Sequence, residues 1–233
     1  SVLCPSKSIR VRKFAQRMVL CESIILEERI LMEKAVNNQA QSRTKEIVLC
    51  GLSIALMAVS AWITVPFGPI PFTLQTLAIM FVLFALTPKC ALISIAGYLV
   101  LGAIGLPVFS SFKGGLAALL GPTGGFITGF LIAGGIALLV GSALKHFSLF
   151  TGESKRSFFG THIKTGVLAT NIAMGVVFLA VLYVFGWFQL MIVGNLTPEA
   201  AFAAAVAPFV LIDVIKMIAA ILLTQAIGNT LKN

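Results

Sequence analysis

Of the 233 residues in this chain, 58% are hydrophobic and only 11% are charged, and the mean hydropathy is +1.02. A water-soluble domain carries about 25% charged residues around one core; here the apolar residues run in stretches too long for such a core to cover, and lipid is the solvent that fits. The net charge of +9 is not a nucleic-acid signal either. Nine of the 17 Lys and Arg fall within residues 1–46 and most of the others in short loops between apolar segments, which is a topology pattern rather than a phosphate-binding stripe. Cys4, Cys21, Cys50 and Cys90 show no metal-ligand spacing, and Cys50 and Cys90 read as small apolar fillers.

Residues 1–46 form a polar, basic N-terminal extension with one modest helical pattern at 18–36 and no signal-peptide core. Met32 opens a short polar lead into the first membrane segment, so residues 1–31 read either as an upstream extension or as a cytoplasmic tail. A membrane domain is expected over 47–230. Its apolar segments fall at 47–65, 72–86, 91–106, 123–144, 166–188 and 202–227. About 20 helical residues cross a hydrocarbon core of about 30 Å, so the last three suffice alone. The second and third are short and joined by Thr87-Pro88-Lys89-Cys90, read as a turn between two hairpin helices, or as the break in a pair of half-helices.

Two stretches between these segments resist regular helix. Residues 65–71 contain three prolines, which remove backbone donors and clash with preceding carbonyls. Residues 105–125, GLPVFSSFKGGLAALLGPTGG, hold six glycines and two prolines. Non-helical backbone at membrane depth is tolerated where protein buries it or water reaches it, so together these stretches are expected to form a lidded cavity. The loops bearing Lys89 and Lys145, Lys155, Arg156 and Lys164, with the basic N-terminus and Lys232, lie on one side; those bearing Lys113 and Glu199 lie on the other. The positive-inside rule then places both termini in the cytoplasm, with an even number of spans and the cavity facing outward. The expected fold is all-α, a bundle of six transmembrane helices.

Asp213 and Lys216 stand amid apolar neighbours in the last segment. Each ion costs at least about 2.5 kcal/mol in hydrocarbon by insertion scales, and at i,i+3 the two share a helix face. They read as a polar ligand site, or else as an ion pair fixing helix packing. Thr73 and Gln75 follow the proline-rich stretch, and Ser110, Ser111 and Lys113 lie in the glycine-rich one; Gln and Ser supply donors and acceptors suited to an amide or urea. Phe67, Phe72, Phe109, Phe112 and Tyr98 are candidates for an apolar wall. GPTGG at 121–125 lacks the Lys-Ser/Thr of a nucleotide-binding loop, and His146 and His162 sit in a basic loop away from membrane depth; intramembrane catalysis would have only Asp213 to use, so neither an enzyme nor a cofactor is expected in this chain. Gly51 and Ala55, at i,i+4 on the first helix, allow close approach of another helix in lipid.

PFTLQTL at 71–77, GAIGLPVF at 102–109, GGLAALLGPTGGF at 114–126 and the Asp213-x-x-Lys216 pair resemble, in order and spacing, the biotin-specific substrate-binding (S) components of energy-coupling factor (ECF) transporters, the BioY family. The resemblance covers about 47–230. It implies a six-helix subunit of the bacterial plasma membrane that captures biotin from outside and works with a membrane T component and two ABC-type ATPases, toppling in the membrane to deliver ligand inward. It implies that Asp213 and Lys216 contact the biotin head; the expected ligand set adds Thr73, Gln75, Tyr98, Phe109, Ser110, Ser111 and Gly115. In the family an Asn commonly follows the Val-Phe of the glycine-rich stretch; Ser110 and Ser111 stand there instead. The family's small-residue motif facing the T component corresponds to Gly51 and Ala55. Two other classes remain open: an ion-coupled secondary transporter of a small organic anion using Asp213 for protons, and an intramembrane enzyme.

The charge pattern generates a direct prediction. In a variant with the four native cysteines replaced, a cysteine at Glu199 reacts with a membrane-impermeant thiol reagent added outside intact cells, and one at Lys155 does not; the reverse pattern inverts the topology.

Overall fold

The computed structural model describes residues 41, 43–66, 70–146, 155–158 and 161–230, with backbone alone at 155–158, 161–165 and 228–230. The expectations for residues 1–40, for Phe67 and for Lys232 therefore lie outside the described residues. Two units are present, 1–48 and 49–233; the described part of the first is helical, and the second holds the core and every element that begins after residue 48.

Helix α1 spans Arg43–Trp62. Where the three prolines were expected to forbid helix, the chain makes an antiparallel hairpin, β1 (Thr64–Val65) with β2 (Phe72–Thr73), in register Thr64 to Thr73 and Val65 to Phe72. Then come α2 (Gln75–Ala85), α3 (Pro88–Ile104), a 3-10 turn at Ser110–Phe112, α4 (Leu116–Leu120), α5 (Gly124–His146), the hairpin β3 (Lys155–Phe158) and β4 (Thr161–Lys164), α6 (Thr165–Val193), α7 (Pro198–Ala205) and α8 (Val210–Thr230). Four of these helices are long and apolar enough to cross a membrane: α1, α5, α6 and α8. At about 1.5 Å per residue, the 11 residues of α2 extend about 16 Å and the 17 of α3 about 25 Å, so both are short of a full bilayer on their own.

Three boundaries differ from the sequence reading. Pro88 is the first residue of α3, not part of the turn: its missing N–H is an orphan at that position anyway, and extended Thr87 caps the helix. The glycine-rich stretch contains a helix, α4. The sixth apolar segment is broken, because α7 ends at Ala205 and α8 begins only at Val210; Pro208 has no N–H to give and its ring crowds the carbonyl four residues back.

The core is shared by α1, α2, α3, α5, α6 and α8, around Met57, Ile79, Tyr98, Ala133, Phe178 and Ala220. A smaller cluster of Ile70, Leu190, Ala205, Val206 and Phe209 ties α7 and the hairpin to the end of α6. With no hydrophobic driving force between helices in lipid, close packing carries the association. Accordingly α5 meets α6 through glycines: a Cβ at Gly125 would strike the Phe185 carbonyl, one at Gly129 would press on Leu182 and Phe185, and on the other side Gly186 accepts the Phe126 ring. The contact at Gly125 is against backbone, which cannot swing away. Gly125→Val is expected to destabilise the protein by about 1–3 kcal/mol, the range for overpacking, read as a lowered midpoint of thermal unfolding in detergent; an unchanged midpoint means the two helices do not approach as described.

Candidate functional site

The proline-rich hairpin sets up the site. Leu74 is the N-cap of α2 and its carbonyl accepts Ala78 N–H, which leaves the Thr73 carbonyl outside the helical ladder. Lys216 uses it: the ammonium donates to Thr73 O at 2.6 Å, to Thr76 Oγ1 at 3.0 Å and to Asp213 Oδ1 at 2.8 Å. An ammonium has three donors, and all three are spent on protein. The charge sits 4.0 Å from the centre of the Phe72 ring, a cation–π contact. Asp213 is as fully engaged. Its Oδ1 also accepts Thr76 Oγ1 at 3.1 Å, and its Oδ2 accepts the Tyr183 hydroxyl at 2.7 Å. Asp213 and Lys216 are 4% and 5% exposed. Three helices, α2, α6 and α8, thus converge on one ion pair.

This network forms one wall of a cleft enclosing about 540 Å³ of empty space, its open mouth included. The polar lining is Thr73, Gln75, Thr76, Ser110, Thr123 and Tyr183 beside the ion pair; the apolar lining includes Ile70, Phe126, Ile127, Phe130, Leu182 and Phe209. Both irregular stretches contribute, the hairpin through Ile70, Pro71 and Thr73 and the glycine-rich segment through Ser110 and Thr123.

Of the sequence candidates, Asp213, Lys216, Thr73, Gln75 and Ser110 line the cleft together. Tyr98 and Phe109 do not. Both are fully buried behind it, packed edge to face at 5.5 Å, because the Tyr98 hydroxyl faces inward: it accepts Gln75 Nε2 at 2.8 Å and donates to Val108 O at 2.8 Å. Tyr98 therefore fixes Gln75 and the glycine-rich segment relative to each other. Ser111 and Gly115 also stand off the wall. Ser111 is exposed, at φ 56°, and Gly115 sits at φ 83°, before α4. Phe72 serves beneath Lys216 rather than as cleft wall, and exposed Phe112 stacks on Trp62 at 5.1 Å, while Trp62 Nε1 donates to Pro107 O at 2.8 Å. Gly51 and Ala55 are exposed on α1, and nothing lies within 4 Å of a Cβ at Gly51.

The sequence reading missed Thr76, Thr123 and Tyr183. Thr76 had a usable signal: it follows Gln75 in PFTLQTL, one turn after Thr73. Tyr183, one of two tyrosines in the chain, stands in a long apolar span, and only the fold brings it to Asp213, thirty residues away. Among the described residues no group of His, Cys, Asp and Glu is arranged to hold a metal ion.

The chain folds as a bundle of short and long helices around a cleft with one polar wall. Its fold is that of the S-component for biotin from an ECF-type ABC transporter, with a TM-score of 0.67 at 23% identity over 81% of this chain and 93% of that one. A second bacterial ECF-transporter S component aligns with a TM-score of 0.52 at 18% identity over 82% of this chain and 99% of that one. The BioY family profile matches residues 32–233, and the chain belongs to the BioY family. Among its relatives, the biotin transporter BioY of Thermotoga maritima is 36% identical over 77% of this chain and 93% of its own length. The probable biotin transporter BioY of Pyrococcus horikoshii is 35% identical over 81% and 99%. The chain is a multi-pass membrane protein of a transporter family, not of an enzyme family.

The ion pair yields a prediction about stability. Asp213→Asn leaves the Lys216 ammonium buried without its counter-charge and is expected to cost about 3 kcal/mol or more, whereas Asp213→Leu with Lys216→Met recovers most of that loss, as apolar replacement of buried pairs does elsewhere. Unfolding midpoints in detergent check both; a single variant as stable as the wild type means the pair is not desolvated.

Proposed function

We propose that this chain is the substrate-binding S component of an ECF-type importer, capturing biotin in the cleft beneath the hairpin and the glycine-rich segment for ATP-driven uptake by partner subunits. The observation that carries the reading is the buried Asp213–Lys216–Thr76–Tyr183 network opening onto a cleft walled by Phe126, Phe130 and Phe209. Biotin matches that division: a compact apolar bicycle with a urea at one end and a carboxylate on a flexible tail. Thr73, Gln75, Ser110, Asp213 and Lys216 form the polar side of the ligand site, with Tyr98, Phe109, Ser111 and Gly115 acting on the segments that carry it rather than on the ligand. Residues 47–230 are the membrane domain, with six spans in which α2 and α3 recruit flanking residues, both termini cytoplasmic, in the bacterial plasma membrane; residues 1–46 are an extension outside it. The chain needs no cofactor. Chemical work comes from ABC-type ATPases through a membrane T component, docked on the α1 face of Gly51 and Ala55, where small exposed residues permit close helix approach.

Purified protein is expected to retain radiolabelled biotin at low concentration, and uptake in cells to depend on ATP rather than on the proton gradient. Gly51→Leu with Ala55→Leu leaves biotin retention unchanged, since both residues face away from the cleft, but lowers T-component copurification at least about tenfold. Absence of biotin binding by folded wild-type protein overturns the reading. Uptake that follows the proton gradient would instead favour a secondary transporter using Asp213.

A further inference from the structure

Taking the cleft as a biotin site, the donor–acceptor inventory of its charged wall says more than that the ligand is polar. Lys216 is close to Asp213, yet its three hydrogens already go to Thr73 O, Thr76 Oγ1 and Asp213 Oδ1; none remains for a ligand. The ion-paired carboxylate only accepts, and the Thr76 hydroxyl gives its hydrogen to Asp213 Oδ1. Tyr183 in turn has one hydroxyl hydrogen, and at 2.7 Å from Asp213 Oδ2 that hydrogen is committed. What Tyr183 can offer the cleft it lines is its oxygen lone pairs. The wall that looks most cationic in sequence is therefore an acceptor wall.

We propose that Tyr183 is a specificity-determining residue: with its hydrogen committed to Asp213 Oδ2, it accepts an N–H from the ligand head and so selects heads that bring a donor. Lys216 acts through Asp213 and Thr76 as a positioning residue and forms no direct bond to the head. The opposite polarity is available from Gln75, whose Nε2 spends one hydrogen on Tyr98 and keeps a second, and from the Ser110 hydroxyl; these suit a carbonyl oxygen. A urea, with N–H on its flanks and C=O at its tip, meets both sets. Breaking a bond to a buried polar partner costs more than losing an equivalent apolar contact, because the partner stays unpaired.

The test compares biotin with its two cyclic carbamate analogues, in which one or the other ureido N–H is replaced by O, titrated calorimetrically against the full chain in detergent. Wild type is expected to bind at least one carbamate about tenfold or more weaker than biotin, since oxygen then faces oxygen. In Tyr183→Phe, biotin affinity falls and that discrimination shrinks below about threefold. A role confined to helix packing would move stability and leave the ratio alone, so unfolding midpoints are measured beside it. Equal binding of biotin and both carbamates by wild type overturns the proposal without any variant, and so does discrimination kept in full by Tyr183→Phe. If that variant does not fold, Tyr183→Trp, which keeps a donor for Asp213 but presents no lone pair, is expected to lose the same discrimination, and keeping it again overturns the proposal. Wild-type protein that binds none of the three ligands counts against the biotin reading itself, not against the role of Tyr183 within it.

Discussion

An ion pair placed in hydrocarbon must be solvated by protein, and the way Asp213 and Lys216 are solvated organises the rest of this molecule. Within a helix each carbonyl is already engaged by its own ladder, so a carbonyl outside the ladder is the better-placed acceptor for a buried ammonium. Pro66 and Pro71 fall where the chain stays out of helix until Leu74 caps α2, so the Thr73 carbonyl stays unclaimed by the ladder beside Lys216. The hairpin that resembles a mere connection is thus what allows a lysine at position 216.

The same constraint runs through the glycine-rich segment. α4 is five residues long and its helical ladder does not continue beyond Leu120. Gln189, one turn beyond Phe185 on α6, donates to Leu119 O and Gly121 O, both at 2.8 Å. In lipid an unpaired carbonyl costs several kcal/mol; the carboxamide gives both a partner, and Gly121 O also takes the Gly124 N–H at 3.0 Å. That cover requires α6 to lie close against the start of α5, which is why Gly124 and Gly125 sit opposite Phe185 and Gln189. At the other end of the segment Gly105, at φ 118°, closes α3 with its N–H on Gly102 O and the Leu106 N–H on Leu101 O, a Schellman closure that turns the chain back over the cleft. Polar satisfaction, glycine placement and lid position are one requirement seen at three points.

The same economy explains which features were legible in the sequence. Charges in an apolar span are expensive wherever they fall, so Asp213 and Lys216 announced themselves, and proline and glycine clusters marked both lids because backbone rules are local. Two errors had local remedies: Pro208 splits α7 from α8 by the same rule used on the proline-rich stretch, and Pro88 at the start of a helix is a common placement. The roles of Tyr98 and Tyr183 had none. Each is an amphipathic ring in an apolar span, and the direction of its hydroxyl depends on packing between helices distant in sequence: Tyr98 turns to Val108 and Gln75, Tyr183 to Asp213. Hydropathy ranks the two alike. The geometry gives one to the scaffold and the other to the cleft.

A buried pair of charges is seldom retained for stability, since apolar residues of similar volume do as well or better. Its use here lies in fixing orientation. Lys216 neutralises Asp213, and Asp213, so neutralised, still holds the Tyr183 hydrogen on one side and Thr76 on the other. On the role proposed for Tyr183, a neutral ligand head entering the cleft meets acceptors already oriented and need not break the pair to bind. That matters for a carrier that must also let go. Direct bonds from an ammonium to the ligand would deepen binding and slow release, whereas a polar wall preorganised by charges that stay paired can recognise a head through a few neutral-to-neutral bonds of about 1 kcal/mol net each. The charges shape the site while being satisfied by the protein itself.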